Sequence, residues 1–162
     1  MGCEILTEVS RVLSGYVVVE DIGEYFALLK DCEAAILDAK YLIDIENAIF
    51  AAEKAIKAWD EGRNIAKTLP MEILLHAAAT RQIKDALEVG LKKGKNTVFA
   101  VLLDCDELPG FVEGNFKRLK PDEKQLRKIK EFYDITDEEL EIVGTERLNL
   151  LIRERIALFN LK

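Results

Sequence analysis

One histidine, one tryptophan, three cysteines and three prolines are all that 162 residues provide of the side chains on which metal centres, redox sites and rigid turns most often depend. Cys3, Cys32 and Cys105 form no Cys-x-x-Cys pair, and His76 alone cannot complete a zinc ligand set, so a structural zinc site is excluded. A catalytic thiol needs a neighbouring base, and His76 is the one imidazole in the chain to serve. Buried, reduced thiols are the expected state of the cysteines. Long apolar runs are also missing: residues 98–103 are far too short to span a bilayer. Residues 1–7 lack the basic start, apolar run and cleavage site of a secretory signal, so a soluble, cytoplasmic protein is expected.

Enzymatic motifs are scarce as well. Residues 90–97, GLKKGKNT, have three residues between the glycines and an Asn after the second lysine, where a phosphate loop needs four and a hydroxyl. A basic turn is the expected structure there. No glycine-rich loop, catalytic loop or metal-binding Asp motif of a protein kinase is present. Asp104 and Asp106, with Glu107, follow an expected strand, where magnesium-binding carboxylates often lie. A small metal-dependent hydrolase or transferase built on that loop is the alternative to a binding protein. No metal and no cofactor are expected in the leading reading, and His76 is expected to be a hydrogen-bonded core residue.

What the chain does have is a globular composition, 49% hydrophobic and 33% charged, at a length suited to one domain over residues 1–162. Val17, Val18 and Val19 predict a strand over 16–20, with residues 4–9 as its partner. Asp21 reads as the cap of a helix to about Cys32, and part of 35–43 as a further strand. Ile45, Ala48, Ile49, Ala52, Ile56 and Trp59 recur at helical spacing, predicting a helix over 45–60 capped by Asp44 and stopped by Gly62. Thr68 before Pro70 starts the next helix, and Thr80 caps another that Gly90 ends. Residues 97–103 predict a strand covered on both faces, 123–133 an amphipathic helix, and about 145–161 the last helix. The expected class is α+β: a small, mostly antiparallel or mixed sheet with about seven helices packed around it.

Charge is uneven along the chain. Net charge is −7, yet residues 63–95 hold seven basic residues against three acids, a surplus of four. Arg63, Asn64 and Lys67 on one connection, and Arg81, Gln82 and Lys84 at a helix start, are expected to converge on one anion-facing surface. A solvated face with ordinary ion pairs is the competing reading. The last helix carries more apolar residues than one core face needs, so either it is deeply buried or it docks a partner, with Arg153 and Arg155 flanking the contact.

The stretches IENAIFAAEKAI at 45–56, GRNIAKTL at 62–69, MEILL at 71–75 and RQIKDAL at 81–87, with ERIAL at 154–158, resemble the archaeal form of the kinase-binding subunit of the KEOPS complex, the family of the PRPK-binding protein. That resemblance implies a compact α/β fold, no catalysis and no cofactor. It implies binding to the kinase-like ATPase subunit of KEOPS and to the single-stranded CCA end of tRNA. Association with the threonylcarbamoyl-transferase subunit would be indirect. It places Lys54, Ala55, Gly62, Glu72, Ile73, Ile83, Ala86 and Gly90 at recurrent positions, most of them structural. Arg63, Asn64, Lys67, Arg81, Gln82 and Lys84 are then the expected tRNA contacts, and Ile152, Ile156 and Phe159 the expected partner contacts. Where relatives often have Ser followed by Gly or Pro, this chain has Ala78 and Ala79 before Thr80, which predicts a less sharp turn or continuous helices.

Overall fold

Alternation along three strands decides which layers cover the sheet. A computed structural model describes residues 3–7 and 10–159, with side chains from residue 11 onward. Its strands are β1 (Cys3–Thr7), β2 (Ser10–Val19), β3 (Ala34–Asp38), β4 (Gly94–Leu102) and β5 (Val112–Glu113), ordered β1-β2-β4-β3 with β5 beside β2. Every pairing is antiparallel, which settles the expected mixed alternative. The pairing of Val12 with Val101, and of Leu37 with Phe99, sends these side chains into one core. Val17, Val19, Ile36, Val98, Ala100 and Leu102 face the other. Strand β4 is thus covered on both faces, as its unbroken apolar run predicts.

The larger core lies under α3 (Ile45–Asp60), α4 (Leu69–Ala78), α6 (Glu123–Tyr133) and α8 (Leu148–Phe159). The smaller lies under α1 (Ile22–Leu28) and the loop after β4, where Tyr25 donates to the Pro109 carbonyl at 2.7 Å. Short helices α2 (Ala39–Leu42), α5 (Ile83–Ala86) and α7 (Asp137–Val143) complete eight α-helices among the described residues, with two brief 3-10 turns before Gly90 and before α8. None of the described helices is long and apolar enough to cross a membrane. The expected ends of β1 at Val9 and of α8 near Leu161 lie outside the described residues.

Helix α3 matches its predicted bounds, and Asp44 caps it by accepting from the Glu46 N–H at 3.0 Å. Its buried stripe is rotated from the expected one: Ala48, Ala51, Ala52, Ala55 and Ala58 are buried, while Ile49, Ile56 and Trp59 are only partly so. Small side chains let α4 approach closely, and the larger ones fill the margins. Ile43 takes φ 69°, closing a γ-turn in which the Asp44 N–H donates to the Leu42 carbonyl at 2.7 Å. For a β-branched residue this is a strained conformation, held by neighbours. The Leu119 N–H donates to Ile43 and the Ile45 N–H to Lys117, so the strap leading into α6 is laced to the start of α3.

Two sequence expectations are corrected. Helix α4 does not run into α5: Ala79 adopts a left-handed conformation, φ 54° and ψ 42°, and stops it. Cys32 and Cys105 are joined in a disulfide with Cα atoms 5.0 Å apart, not held as free thiols. The pairing of Ala34 with Leu102 brings the two chain segments together despite a sequence separation of 73. The side chain of Cys3 lies outside the described residues.

Candidate nucleic-acid and partner surfaces

The cations of residues 63–95 do not form one patch. Arg63, Asn64 and Lys67 lie on the connection before α4, and Arg81, Gln82 and Lys84 beyond its far end. Ten helical residues separate the groups by about 15 Å. The expected convergence is therefore corrected to two sites at opposite ends of one helix. All six side chains are exposed. Arg63 donates to Glu61 at 2.6 Å, Asn64 to the Ala66 carbonyl at 2.9 Å, and Arg81 also has an intramolecular partner. The Gln82 N–H donates to Thr80 Oγ1 at 3.1 Å, so Thr80 braces the turn while α5 begins at Ile83.

A buried pair shapes the first of these loops. Glu72, fully buried, accepts from the Ile65 and Ala66 N–H groups at 2.9 and 2.8 Å through Oε1, and meets His76 Nε2 at 3.1 Å through Oε2. The resemblance that marks Glu72 as a recurrent position gives no sign of this clamp. Burial lowers the His76 pKa, with the Glu72 carboxylate opposing that shift, so the ring is neutral at physiological pH and donates from Nε2. Its Nδ1 is buried with no partner, and the ring sits edge-on to Phe159.

The basic turn before β4 is likewise internal structure. Lys92 Nζ donates to the Glu88 carbonyl at 2.5 Å, pairs with Asp38 at 3.2 Å and lies over the Tyr41 ring. Asn96 bonds both the N–H and the carbonyl of Lys92. The Gly90 and Lys92 N–H groups are thus engaged within the turn itself.

Helix α8 resolves its surplus of apolar residues inward. Ile152, Ile156 and Phe159, expected to meet a partner, are 0, 0 and 3% exposed and belong to the protein's own interior. Polar staples fix the helix in this orientation. Asn149 donates to Asp44 at 2.8 Å, Arg153 to Asn47 at 2.8 Å, and Lys54 to the Ala157 carbonyl at 3.2 Å. Arg155 grips Glu139 and the carbonyls of Tyr133 and Asp134, holding the Glu139 carboxyl down at about 2. Neither arginine is a bystander flanking a contact. The apolar groups that α8 leaves outside are Leu150 and Leu158, two turns apart.

Asp104 and Asp106 do not assemble a metal site. Asp104 accepts from the Glu33 N–H at 2.6 Å, and the Asp106 side chain stands in solvent near Arg11. Among the described residues no group of three His, Cys, Asp or Glu side chains is placed to hold a metal.

The sequence reading missed residues 117–130, which carry seven basic residues against two acids in a far shorter span than residues 63–95. Lys120, Lys124, Arg127 and Lys128 are exposed and make no ion pair among the described residues. A charge count over short windows would have found them, but taking residues 63–95 against everything else averaged this island into an acidic remainder.

The described surface thus offers two exposed apolar groups on α8 and several exposed cations as its candidate contacts. The model of the family described as kinase binding protein CGI-121 matches residues 13–160, and the chain belongs to that family. It is 43% identical over 90 residues to the KEOPS complex subunit Cgi121 of Pyrococcus abyssi, an alignment covering 51% of this chain and 53% of that relative. The matched stretch thus spans about half the length of the relative.

Proposed function

We propose that this protein is a non-catalytic accessory subunit of a KEOPS assembly, the machinery that makes threonylcarbamoyladenosine on tRNA. It binds the kinase-like ATPase subunit and the single-stranded CCA end of tRNA, and meets the threonylcarbamoyl-transferase subunit only indirectly. The observation that carries this reading is the family match over residues 13–160, to which the subunit name of the Pyrococcus abyssi relative adds. On α8 the kinase-like partner meets Leu150 and Leu158, with Ile152, Ile156 and Phe159 supporting them from inside. The RNA tail spans the two ends of α4: Lys67 and Lys84 contact phosphates, Asn64 and Gln82 contact bases or ribose, and Arg63 and Arg81 add charge.

Binding titrations with the purified kinase-like subunit test the protein half. Leu158→Glu puts a charge into a dry interface and is expected to weaken affinity at least about tenfold while leaving the melting temperature in place. Unchanged affinity for both Leu158→Glu and Leu150→Glu would remove α8 from the interface. For the RNA half, an oligonucleotide ending in CCA should bind the Lys67→Ala, Lys84→Ala double variant more weakly, with a shallower salt dependence. Equal affinity and equal slope would refute it.

A further inference from the structure

We infer that the ridge of Lys120, Lys124, Arg127 and Lys128, on α6 and the strap before it, binds the phosphate backbone of the double-helical RNA stem adjoining the single-stranded tail. The inference rests on the tail-binding reading above and extends it to a second surface.

Charge density is the first argument. Residues 117–130 carry a surplus of five positive charges within a chain whose net charge is −7. Such a concentration raises the chain's energy by self-repulsion unless an anion relieves it. The fold does not neutralise it. Lys130 pairs with Asp137, and Arg118 donates to the Glu146 carbonyl and to Asn149, but the four ridge cations make no ion pair or hydrogen bond among the described residues. Elsewhere Arg63, Lys92, Arg153 and Arg155 hold partners, and the cations that hold none, such as Lys67 and Lys84, are not gathered four together on one short segment.

The ridge is also rigidly mounted. Ile129 and Tyr133 are buried, and Tyr133 donates to the Ala77 carbonyl at 2.8 Å. Asp122 caps the helix, Gln125 donates to the Lys40 carbonyl, and the strap is laced to Ile43 and Ile45. Lys124, Arg127 and Lys128 stand at i, i+3 and i+4 and so share one face. Little backbone ordering remains to oppose binding.

Side-chain chemistry selects the occupant. None of the exposed large apolar residues among those described lies on α6. An anionic membrane surface or an acidic peptide would be expected to meet apolar groups beside the charges. Stacking of single-stranded bases needs exposed aromatic faces, and Phe132 on α6 is only partly exposed and packs against Tyr41 and Tyr133. Cations on a helix with no exposed large apolar residue of its own, and with Leu158 of α8 as the one exposed large apolar group lining the groove beside Lys128, suit the outside of a duplex, where phosphates are the available ligand. Continuity gives the direction. Lys84, in the tail-binding set, and Lys128 line the same groove of about 880 Å³. The groove itself also carries Asp85, Glu88, Glu131 and Asp134, so the backbone crosses at the rims and not along the floor.

Three probes test this with the full chain: a hairpin stem carrying a 3′ CCA tail, the tail oligonucleotide alone, and phosphatidylserine vesicles. The wild-type protein should bind the tailed hairpin more tightly than the tail. Lys124→Ala, Arg127→Ala and Lys128→Ala together should remove about tenfold or more of the hairpin affinity at low salt. They should also lower the salt slope by about 2 to 3, near 0.9 per phosphate contact, and leave tail affinity unchanged. If wild-type protein binds the tail but gains nothing from the stem, or if the triple variant retains full hairpin affinity and slope, the ridge is not an RNA surface while the tail reading stands. If it binds neither RNA, the tail reading falls as well, and vesicle binding abolished by the triple variant would reassign the ridge to lipid.

Discussion

Two stretches of this chain carry a similar surplus of positive charge, and they differ in how their turns are closed. In residues 63–95 side chains close the turns, so Lys92 serves as an internal fastener and Glu72 is drawn beneath the loop, while Lys67, Lys84, Lys93 and Lys95 have no ion pair among the described residues. In residues 117–130 the turns are closed by backbone pairing and by Asp122; Arg118 and Lys130 hold internal partners, and Lys120, Lys124, Arg127 and Lys128 are left at the surface without an ion pair among the described residues. A count of charges finds both stretches, but only the pattern of hydrogen-bond demand around them separates a fastener from a binding surface.

The sharpest way to break this contrast is at Glu72. Glu72→Ala leaves the buried Ala66 N–H, the part-buried Ile65 N–H and a buried imidazole without their acceptor, and is expected to cost about 3 to 5 kcal/mol in chemical denaturation. Glu72→Gln keeps one carbonyl acceptor and should cost distinctly less. A loss below about 1 kcal/mol for the alanine variant would mean that the clamp contributes little and that the first stretch is as superficial as the second.

His76 extends the same contrast to pH. Burial depresses its folded-state pKa, so the unfolded chain takes up the proton at higher pH, near its ordinary value. The stability it contributes is fully present above about 6.5 and is lost as pH falls from there through the folded-state value. Unfolding free energy measured from pH 8 downward should therefore begin to fall below about 6.5, with a slope that His76→Gln reduces. A slope unchanged in that variant would show that other groups dominate.

Much of this was legible beforehand, for reasons that differ by element. Helices α3 and α6 are readable to the residue because an Asp cap precedes a long stretch of helical periodicity. Helix α7 was missed although Thr136 and Glu139 form a capping box, since its seven residues bury only Leu140 and leave almost no periodic signal. The disulfide was illegible because the approach of Cys32 to Cys105 depends on strand pairing. For α8, apolar excess left two outcomes open, and only the staples from Asp44, Asn47 and Glu139 decide which side faces inward. The six expected RNA contacts are exposed, but their separation along α4 follows from a stop at Ala79, where alanine gives no warning of a left-handed turn.

That stop offers a smaller test. An L-residue in this conformation costs about 1 kcal/mol relative to glycine, so Ala79→Gly should stabilise the protein by up to about 1 kcal/mol, less the entropy glycine adds to the unfolded chain. Destabilisation would indicate that the methyl group packs against the groove wall more than the backbone resists it. Lys92→Ala belongs at the same scale: its side chain is 44% exposed, so loss of its carbonyl and Asp38 contacts should cost about 1 kcal/mol.

The smallest expected effect is the most discriminating. Replacing Lys124, Arg127 and Lys128 together by alanine removes three charges from a helix surface without breaking an ion pair among the described residues. Alanine is at least as good a helix former as lysine or arginine, and relief of mutual repulsion acts in the same direction. Stability should then change by no more than about 0.5 kcal/mol and, if it moves, should rise. A loss as large as that at Lys92 would mean that these side chains fasten the fold after all, and the distinction between the two stretches would disappear. A neutral or stabilising result, beside a clear loss at Lys92, would leave the ridge as charge that the fold tolerates and does not use, which is the physical condition for a surface kept for another molecule.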